Sequence, residues 1–293
     1  FSSNRWKEVK PSLKYLAIYK NKDNYPITIM CKFFGVSRSG YYAYINRMDR
    51  SDKDEPMASV IAYCQERSRQ TYGYRRVHLW LKTKRNIHLN PKTVLRLMNK
   101  YNLLSQIRRR KKYKQMGQQL HKYENLLNRN FEAMTPNQKW VTDISYIHTD
   151  QGVLYLSMIR DVFDRSIVSY KTGTEQTVNL VLQTIKAARQ KEKVTTELQL
   201  HSDQGFQYTS HGYFNLLKEY GITPSMSRRG NCYDNALAEN FFSILKVECI
   251  YRVRPKTIAE AKALIDDYIY FYNYERIQLK TKLTPYEKRC QFA

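Results

Sequence analysis

The chain has 293 residues, 42% of them hydrophobic, enough for a sizeable core and for two domains or one large one. Lys and Arg number 50 against 26 Asp and Glu, a formal net charge of +24, and that excess points to a polyanionic partner. No apolar run approaches the roughly 18 to 20 residues that span a bilayer, and no signal-peptide pattern opens the sequence, so nucleic acid is favoured over a lipid surface.

The first region, residues 1–53, contains "YPITIMCKFFGVSRSGYYAYINRM", with Ile27, Met30, Phe33 and Phe34 at helical spacing, a glycine turn at Gly35 and a second helix started by Ser37. This is a helix-turn-helix pattern. An ordinary helical hairpin has the same outline, but the basic flanks favour a DNA-binding reading. Residues 54–115 form a second helical, DNA-binding region. Here "TYGYRRVHLWLK" and "LNPKTVLRLMNKYNLL" combine aromatic and aliphatic faces with Arg75, Arg76, Lys92 and Arg96. The Asn90-Pro91 start, with Lys92 and Arg96 on one side, predicts a recognition helix for a major groove. The region ends in the basic run Arg108, Arg109, Arg110, Lys111 and Lys112. Such a run cannot pack into a core; it reads as a solvated linker, as an arm lying on phosphates, or as both.

After a linker at 116–133, residues 134–293 change texture to short β-rich runs alternating with helices. Strands are predicted at "KWVTDISYIHT", "GVLYLSMIRDVF" and "SIVSYKTG", then a helix at "TVNLVLQTIKAARQKEK", a strand at "TTELQLHSD", a helix at "HGYFNLLKEYG" and a short strand near "TPSMS". Helices at "NALAENFFSILKVECIY" and "TIAEAKALIDDYIYFYNYE" close the chain. Three adjacent strands followed by helix-strand alternation imply a mixed sheet. The five cysteines, Cys31, Cys64, Cys232, Cys249 and Cys290, show no metal-binding spacing and read as reduced cytoplasmic thiols.

Three acids stand on apolar elements. Asp143 lies among the β-branched and aromatic residues of "WVTDISYI", where an unpaired charge is expensive. Asp203 ends the next predicted parallel strand, and Glu239 sits in a helix beside Phe241, Phe242 and Leu245. Taken singly, each also suits a salt-bridged or strand-end carboxylate. If the first and fourth strands are parallel neighbours, however, Asp143 and Asp203 come side by side and the later helix brings Glu239 across them. Three convergent carboxylates repel one another and raise each other's pKa. Hard divalent cations relieve that repulsion, and two of them about 3.5 to 4 Å apart suit in-line displacement at phosphorus.

The motifs "WVTDISYI", "HSDQGFQYTS", "SRRGNCYDNALAENFFSILKVE" and "YNYERIQLKTKLTPYEKR", with "GVSRSGYYAY" and "YGYRRVHLWL" upstream, resemble the IS-three family of insertion-sequence transposases across nearly the whole chain. The catalytic domain of that family is similar to retroviral integrases. One departure is visible at Arg276, Ile277 and Gln278, where many relatives carry Arg-Ile-His. The resemblance implies an α/β, ribonuclease-H-like core with a mixed five-stranded sheet, preceded by an all-α helix-turn-helix region. It identifies Asp143, Asp203 and Glu239 with the family's DD(35)E catalytic and metal-binding signature. It also implies two Mg²⁺ ions, with Mn²⁺ substituting, double-stranded DNA as substrate (terminal inverted repeats and target), a dimer or higher oligomer on DNA, a circular intermediate, and a cytoplasmic, nucleoid-associated location.

Lys246 follows Glu239 by two helical turns and falls on the same face; it reads either as a solvent-facing lysine or, by the resemblance, as a DNA contact. Arg228 and Arg229 belong to a basic loop before the catalytic helix and are further DNA-binding candidates. Gly205, Gln207 and Tyr208 are expected to let DNA approach closely. His201 is either an orienting residue or a hydrogen-bonded structural histidine. Asp161 and Asp164 are expected to pair with Arg160 or Arg165, or to serve a turn. Some of the 25 tyrosines interleave with basic residues and suit stacking on frayed bases. Two alternative functions share these features: a metal-dependent nuclease on the same scaffold, and an inactive DNA-binding regulator.

Overall fold

The computed structural model describes residues 9–48, 52–106, 123–192, 194, 197–228 and 233–292. Two units are distinguished, Phe1–Val60 and Ile61–Ala293. Among the described residues, no helix is long and apolar enough to cross a membrane.

In the first unit, helices α1 (Pro11–Lys20), α2 (Ile27–Phe34) and α3 (Arg38–Met48) close around Ile18, Met30, Cys31 and Tyr41. The predicted turn is present: Gly35 ends α2 in the left-handed region at φ 63°, where a side chain would be strained. Ser37 Oγ then accepts from the Gly40 backbone at 3.0 Å in the first turn of α3. Phe33, expected in the apolar stripe, is 69% exposed. Helix α4 (Glu55–Arg67) follows.

The second unit contains α5 (Tyr74–Arg85) and α6 (Pro91–Lys100). Asn90 caps α6 as its composition predicts, accepting from the Lys92 backbone at 2.8 Å, with Pro91 at the first helical position. Val94, Leu97 and Met98 face inward, which turns Lys92, Arg96 and Lys100 outward.

The five-stranded sheet has the order β3-β2-β1-β4-β5, with β1 (Lys139–Thr149), β2 (Gly152–Asp161), β3 (Ile167–Gly173), β4 (Leu198–Ser202) and β5 (Ile222–Met226). Strands β1, β2 and β3 form an antiparallel meander, while β4 runs parallel to β1 and β5 parallel to β4. The parallel connections are made through α7 (Val178–Lys191) and α8 (His211–Glu219), whose apolar faces join Trp140, Ile159, Leu198, Leu200, Tyr213 and Met226 in one core. Helix α9 (Ala236–Leu245) packs on β1 and continues through a π-helical turn at Lys246–Ile250 into the single turn α10 (Tyr251–Val253). Helix α11 (Ile258–Tyr274) crosses β1, β2 and β3, where Asn273 accepts from the Ile167 backbone N–H (2.8 Å) and donates to its carbonyl (3.0 Å). A short α12 (Pro285–Cys290), closed by a Thr284–Glu287 capping box, follows.

Candidate active site

Parallel pairing of β1 with β4 sets Trp140 opposite Leu200 and Val141 opposite His201. Carried two residues further, this register brings Asp143 beside Asp203, which lies just past the carboxyl end of β4. The ends of parallel strands are where open α/β sheets form sites, because the connecting loops diverge there. Asp143 Oδ1 accepts from the Ile144 N–H at 2.7 Å, and Asp203 Oδ1 accepts from the Gly205 N–H at 2.9 Å. A methyl group on Gly205 would lie 3.0 Å from both that carboxylate oxygen and Gln207 Oε1, so a larger residue would have to shift one of them.

Glu239 occupies the first turn of α9, where the helix dipole favours a carboxylate. The helix start is held by Asn235, whose Nδ2 donates to the Thr142 carbonyl (3.4 Å), one residue before Asp143. Arg160 on β2 holds the same turn by donating to the Leu237 carbonyl at 2.6 Å. Thus α9 is fixed to β1, which presents the first aspartate, and to its neighbour β2.

The electrostatics record this convergence. Burial pushes the Asp143 carboxyl well above the usual range, and the charges of Asp203 and Glu239 push it further; the Ile144 N–H and Lys246 oppose the shift. Asp203 is raised by burial against the Gly205 hydrogen bond. Burial lowers Lys246, whose ammonium lies 4.7 Å from the centre of the Tyr146 ring, and Asp143 acts against that lowering. Even so, among the described residues no three His, Cys, Asp or Glu side chains are drawn together tightly enough to form a ready cation cage.

Several neighbours prove structural. Tyr208 is buried with its hydroxyl 3.4 Å from Thr142 Oγ1, and burial together with Asp143 and Asp203 keeps it a neutral phenol. Gln207, also buried, donates to the Gln176 carbonyl at 3.3 Å; neither side chain is the open surface expected for close DNA approach. His201 is buried, with Nδ1 2.8 Å from Ser225 Oγ, and burial lowers its pKa to about 4. It is a neutral structural histidine.

Asp161 and Asp164 do not pair with Arg160 or Arg165. They meet Arg289 of α12, at 2.9 Å and 2.6 Å, while the same guanidinium also bonds Glu192. Their expected turn role does hold, since Asp164 accepts from the Ser166 N–H and Asp161 from the Phe163 N–H, each at 2.7 Å.

Among the cationic candidates, Arg75, Lys92 and Arg96 are exposed. Arg76 is turned inward, 4.0 Å from Glu248 and only 19% exposed. Glu248 in turn accepts from Arg276 at 2.8 and 2.6 Å and from the Tyr268 hydroxyl at 2.7 Å. Arg228 is exposed and bonds buried Asp234, which Arg129 and Asn125 also hold. Arg108, Arg109, Arg110, Lys111, Lys112 and Arg229 lie outside the described residues. Asn235 was not singled out in the sequence, and Arg160 was named there only as a partner for Asp161 or Asp164. The first had a readable signal, an Asn immediately before an apolar helical run; the second had none.

Family models for an integrase core domain match residues 133–232 and 239–292, and a model for an HTH-like domain matches 51–111. The chain is 38% identical over 268 residues to the putative transposase InsK for insertion sequence element IS150 of Escherichia coli (strain K12), covering 91% of this chain and 94% of that protein. It is 34% identical over 246 residues to the transposase InsF for insertion sequence IS3A of the same organism, covering 82% and 84% of the two chains. Among solved structures, the HTLV-2 integrase catalytic core domain in complex with magnesium matches 54% of this chain and 99% of its own, at 16% identity and a TM-score of 0.45. With an integrase core behind an HTH-like domain and such relatives along most of its length, the chain belongs to the insertion-sequence transposases of the IS-three family.

Proposed function

We propose that this transposase cleaves the ends of its insertion sequence to free a 3′ hydroxyl and then joins that hydroxyl to a second DNA strand, with Asp143, Asp203 and Glu239 as the catalytic carboxylates. In the first step water attacks phosphorus and the 3′ oxygen leaves. In the second the freed 3′ oxygen forms the new P–O bond, loses its proton, and displaces the 3′ oxygen of the attacked strand. Neither step needs a protein nucleophile, so the chain acts by positioning and charge. The observation that carries the reading is the β1–β4 register, which sets two acids side by side while Glu239 raises the first.

The donor set fits a hard divalent cation: three carboxylates with no sulfur, and a buried Asp143 whose charge is penalised until a cation compensates it. Two Mg²⁺ ions, or Mn²⁺ in their place, would supply neutralisation of charge on the attacking and leaving oxygens when bound. Asn235 and Arg160 keep Glu239 in reach of the aspartates, Gly205 holds the Asp203 turn, and Lys246 contacts a DNA phosphate. Lys92 and Arg96 on α6 enter a major groove, with Arg75, the 108–112 basic run, Arg228 and Arg229 on the backbone. Arg76, engaged with Glu248, is left out of that set. Joining one element end to the other gives a circular intermediate and requires two ends held together, hence at least a dimer on DNA.

The test is to supply pre-cleaved terminal DNA with Mg²⁺. Joined products support transfer; shortened strands alone support a nuclease. Full joining by Asp203→Asn overturns the assignment of the acids. Replacing Arg108, Arg109 and Arg110 together should flatten the dependence of log affinity on log salt; an unchanged slope leaves that segment a linker.

A further inference from the structure

Away from the carboxylates, a cavity of about 310 Å³ opens in the second unit, lined by Tyr63, Arg67, Trp80, Arg85, Tyr274 and Glu275 among others. Aromatic rings form much of its wall. The Tyr63 and Trp80 rings are 6.2 Å apart, and the Arg85 guanidinium lies 5.1 Å and 5.4 Å from their respective centres. From Tyr274 the aromatic surface continues outward, with Tyr270 at 4.9 Å and Tyr286 at 4.8 Å between ring centres. Tyr63, Tyr270, Tyr274 and Tyr286 are 41%, 59%, 41% and 48% exposed. Aromatic rings gain most by burial, so a run of rings left this open marks a binding surface.

Charge selects the ligand. Arg85 is exposed at the aromatic walls, and the one acid in the lining set, Glu275, is bonded to Arg67 at 3.1 Å, which removes its repulsion for a phosphate. Lys84, also lining the cavity, is bonded in the same way to Glu287. Flat apolar faces edged by cations match a base with its phosphate. The cavity has room for about one nucleotide and is far too small for a duplex, which presents base edges rather than faces.

We propose that this cleft binds an unpaired stretch of a DNA strand, with a base in the cavity against the exposed side of the Tyr63, Trp80 or Tyr274 ring, neighbouring bases on Tyr270 and Tyr286, and Arg85 on the backbone. The proposal rests on the reading that the protein acts on DNA, where strand cleavage and joining leave frayed or displaced single strands. It assigns a site separate from the carboxylates and from the α6 groove contact.

The experiment uses the full chain with a fluorescent twelve-nucleotide oligothymidylate and, separately, a duplex of the element end, both followed by anisotropy. An oligothymidylate carrying 5-iododeoxyuridine is cross-linked by light and the attachment site mapped. Expected are cross-links on Tyr63, Trp80 or Tyr274, and about a tenfold loss of single-strand affinity in Trp80→Leu and in Tyr274→Ser with Arg85→Gln, while duplex affinity stays within twofold. The second variant alters exposed side chains only, so it carries the test if Trp80→Leu fails to fold. Equal losses on both DNAs, single-strand affinity within twofold of the parent chain, or cross-links confined to other regions overturn the proposal. Failure to bind either DNA would instead overturn the DNA reading on which it stands.

Discussion

Two groups of three carboxylates lie on the same fold and are treated in opposite ways. Asp161, Asp164 and Glu192 all meet the Arg289 guanidinium, and the two aspartates are further satisfied by backbone N–H groups. Asp143 and Asp203 accept one backbone N–H each, and among the described residues neither forms an ion pair; Asp143 is opposed by the charges of Asp203 and Glu239 and relieved by the Ile144 N–H and by Lys246. Burial penalises both groups. In the first the fold supplies its own cation, so the acids fasten α12 to the sheet. In the second, no ion pair among the described residues holds Asp143 or Asp203, which is destabilising by itself and fits the cation-holding role proposed for them.

The largest break of this comparison is expected at the second group. Asp143→Asn or Asp203→Asn should lower strand joining on the order of a thousandfold or more, measured with pre-cleaved ends. In metal-free buffer the same variants should melt no lower than the parent chain, because an amide removes the repulsion rather than an attraction. A purely structural pair of aspartates would show the reverse, normal joining with a lower Tm.

Arg289→Ala is the converse case. Removing the shared cation leaves buried acids uncompensated, and breaking such a pair costs about 3 to 5 kcal/mol. In a chain of this size that lowers Tm by about 10 °C. Burial and Asp164 already push Asp161 up, to about 7, so its charge depends on Arg289. The loss in the variant should therefore shrink as pH falls from 8 towards 6, where the abandoned Asp161 carboxyl takes up a proton. A loss independent of pH, or none at all, removes Arg289 from its role.

The contrast between the two groups was only half legible in the sequence. Short β-rich runs placed the strands, and the meeting of Asp143 and Asp203 was anticipated on the condition that β1 and β4 are parallel neighbours, as they are. Asn90-Pro91 likewise announced the start of α6. Ion pairing was not legible. Arg160 and Arg165 are the near neighbours of Asp161 and Asp164, but β2 points Arg160 at the Leu237 carbonyl and the Tyr272 hydroxyl, leaving those acids to an arginine more than a hundred residues away. Arg76 beside Glu248 is the same kind of miss. Local spacing reports which face a side chain is on, and cannot report which distant element covers that face. Nor did any pattern signal α1, α12 or the π-turn after α9, each too short or too weakly periodic to stand out.

Titration should separate the raised acids from a third, well-paired one. Asp234 is buried, but Arg228, Arg129 and the Arg228 N–H hold its pKa down to about 2. Its stabilising contribution is present above the ordinary carboxylate pKa and is lost as pH falls from about 4 towards 2. Asp143 has the opposite sign: its folded pKa is raised, so its contribution is present below the ordinary carboxylate range and is lost as pH rises through the raised value. Metal-free protein should therefore gain Tm on moving down from neutral pH towards 5 and lose it again in stronger acid. Millimolar Mg²⁺ should add a few degrees at pH 8 by binding the folded form, and Asp143→Asn should abolish that increment. An increment unchanged in the variant would place the cation elsewhere.

The smallest expected effect concerns Gly205. Its backbone does not occupy the left-handed region, so alanine is allowed conformationally, but the added methyl would sit 3.0 Å from Asp203 Oδ1 and from Gln207 Oε1. Gln207 is buried and the Asp203 oxygen is held by the Gly205 N–H itself, so the carboxylate has to give by a few tenths of an ångström. Displacements of about 1 Å at reacting groups cost about a hundredfold in rate, and Gly205→Ala should accordingly lower joining about three- to tenfold with less than about 1 kcal/mol of stability lost. Gly212→Ala in α8 provides the control, because its methyl meets Leu182 at an ordinary 3.5 Å and alanine favours a helix. Joining should be unchanged there and Tm equal or higher. If Gly205→Ala joins as well as Gly212→Ala, the Asp203 turn has more slack than the close packing around it implies, and Asp203 is not held in place by that turn.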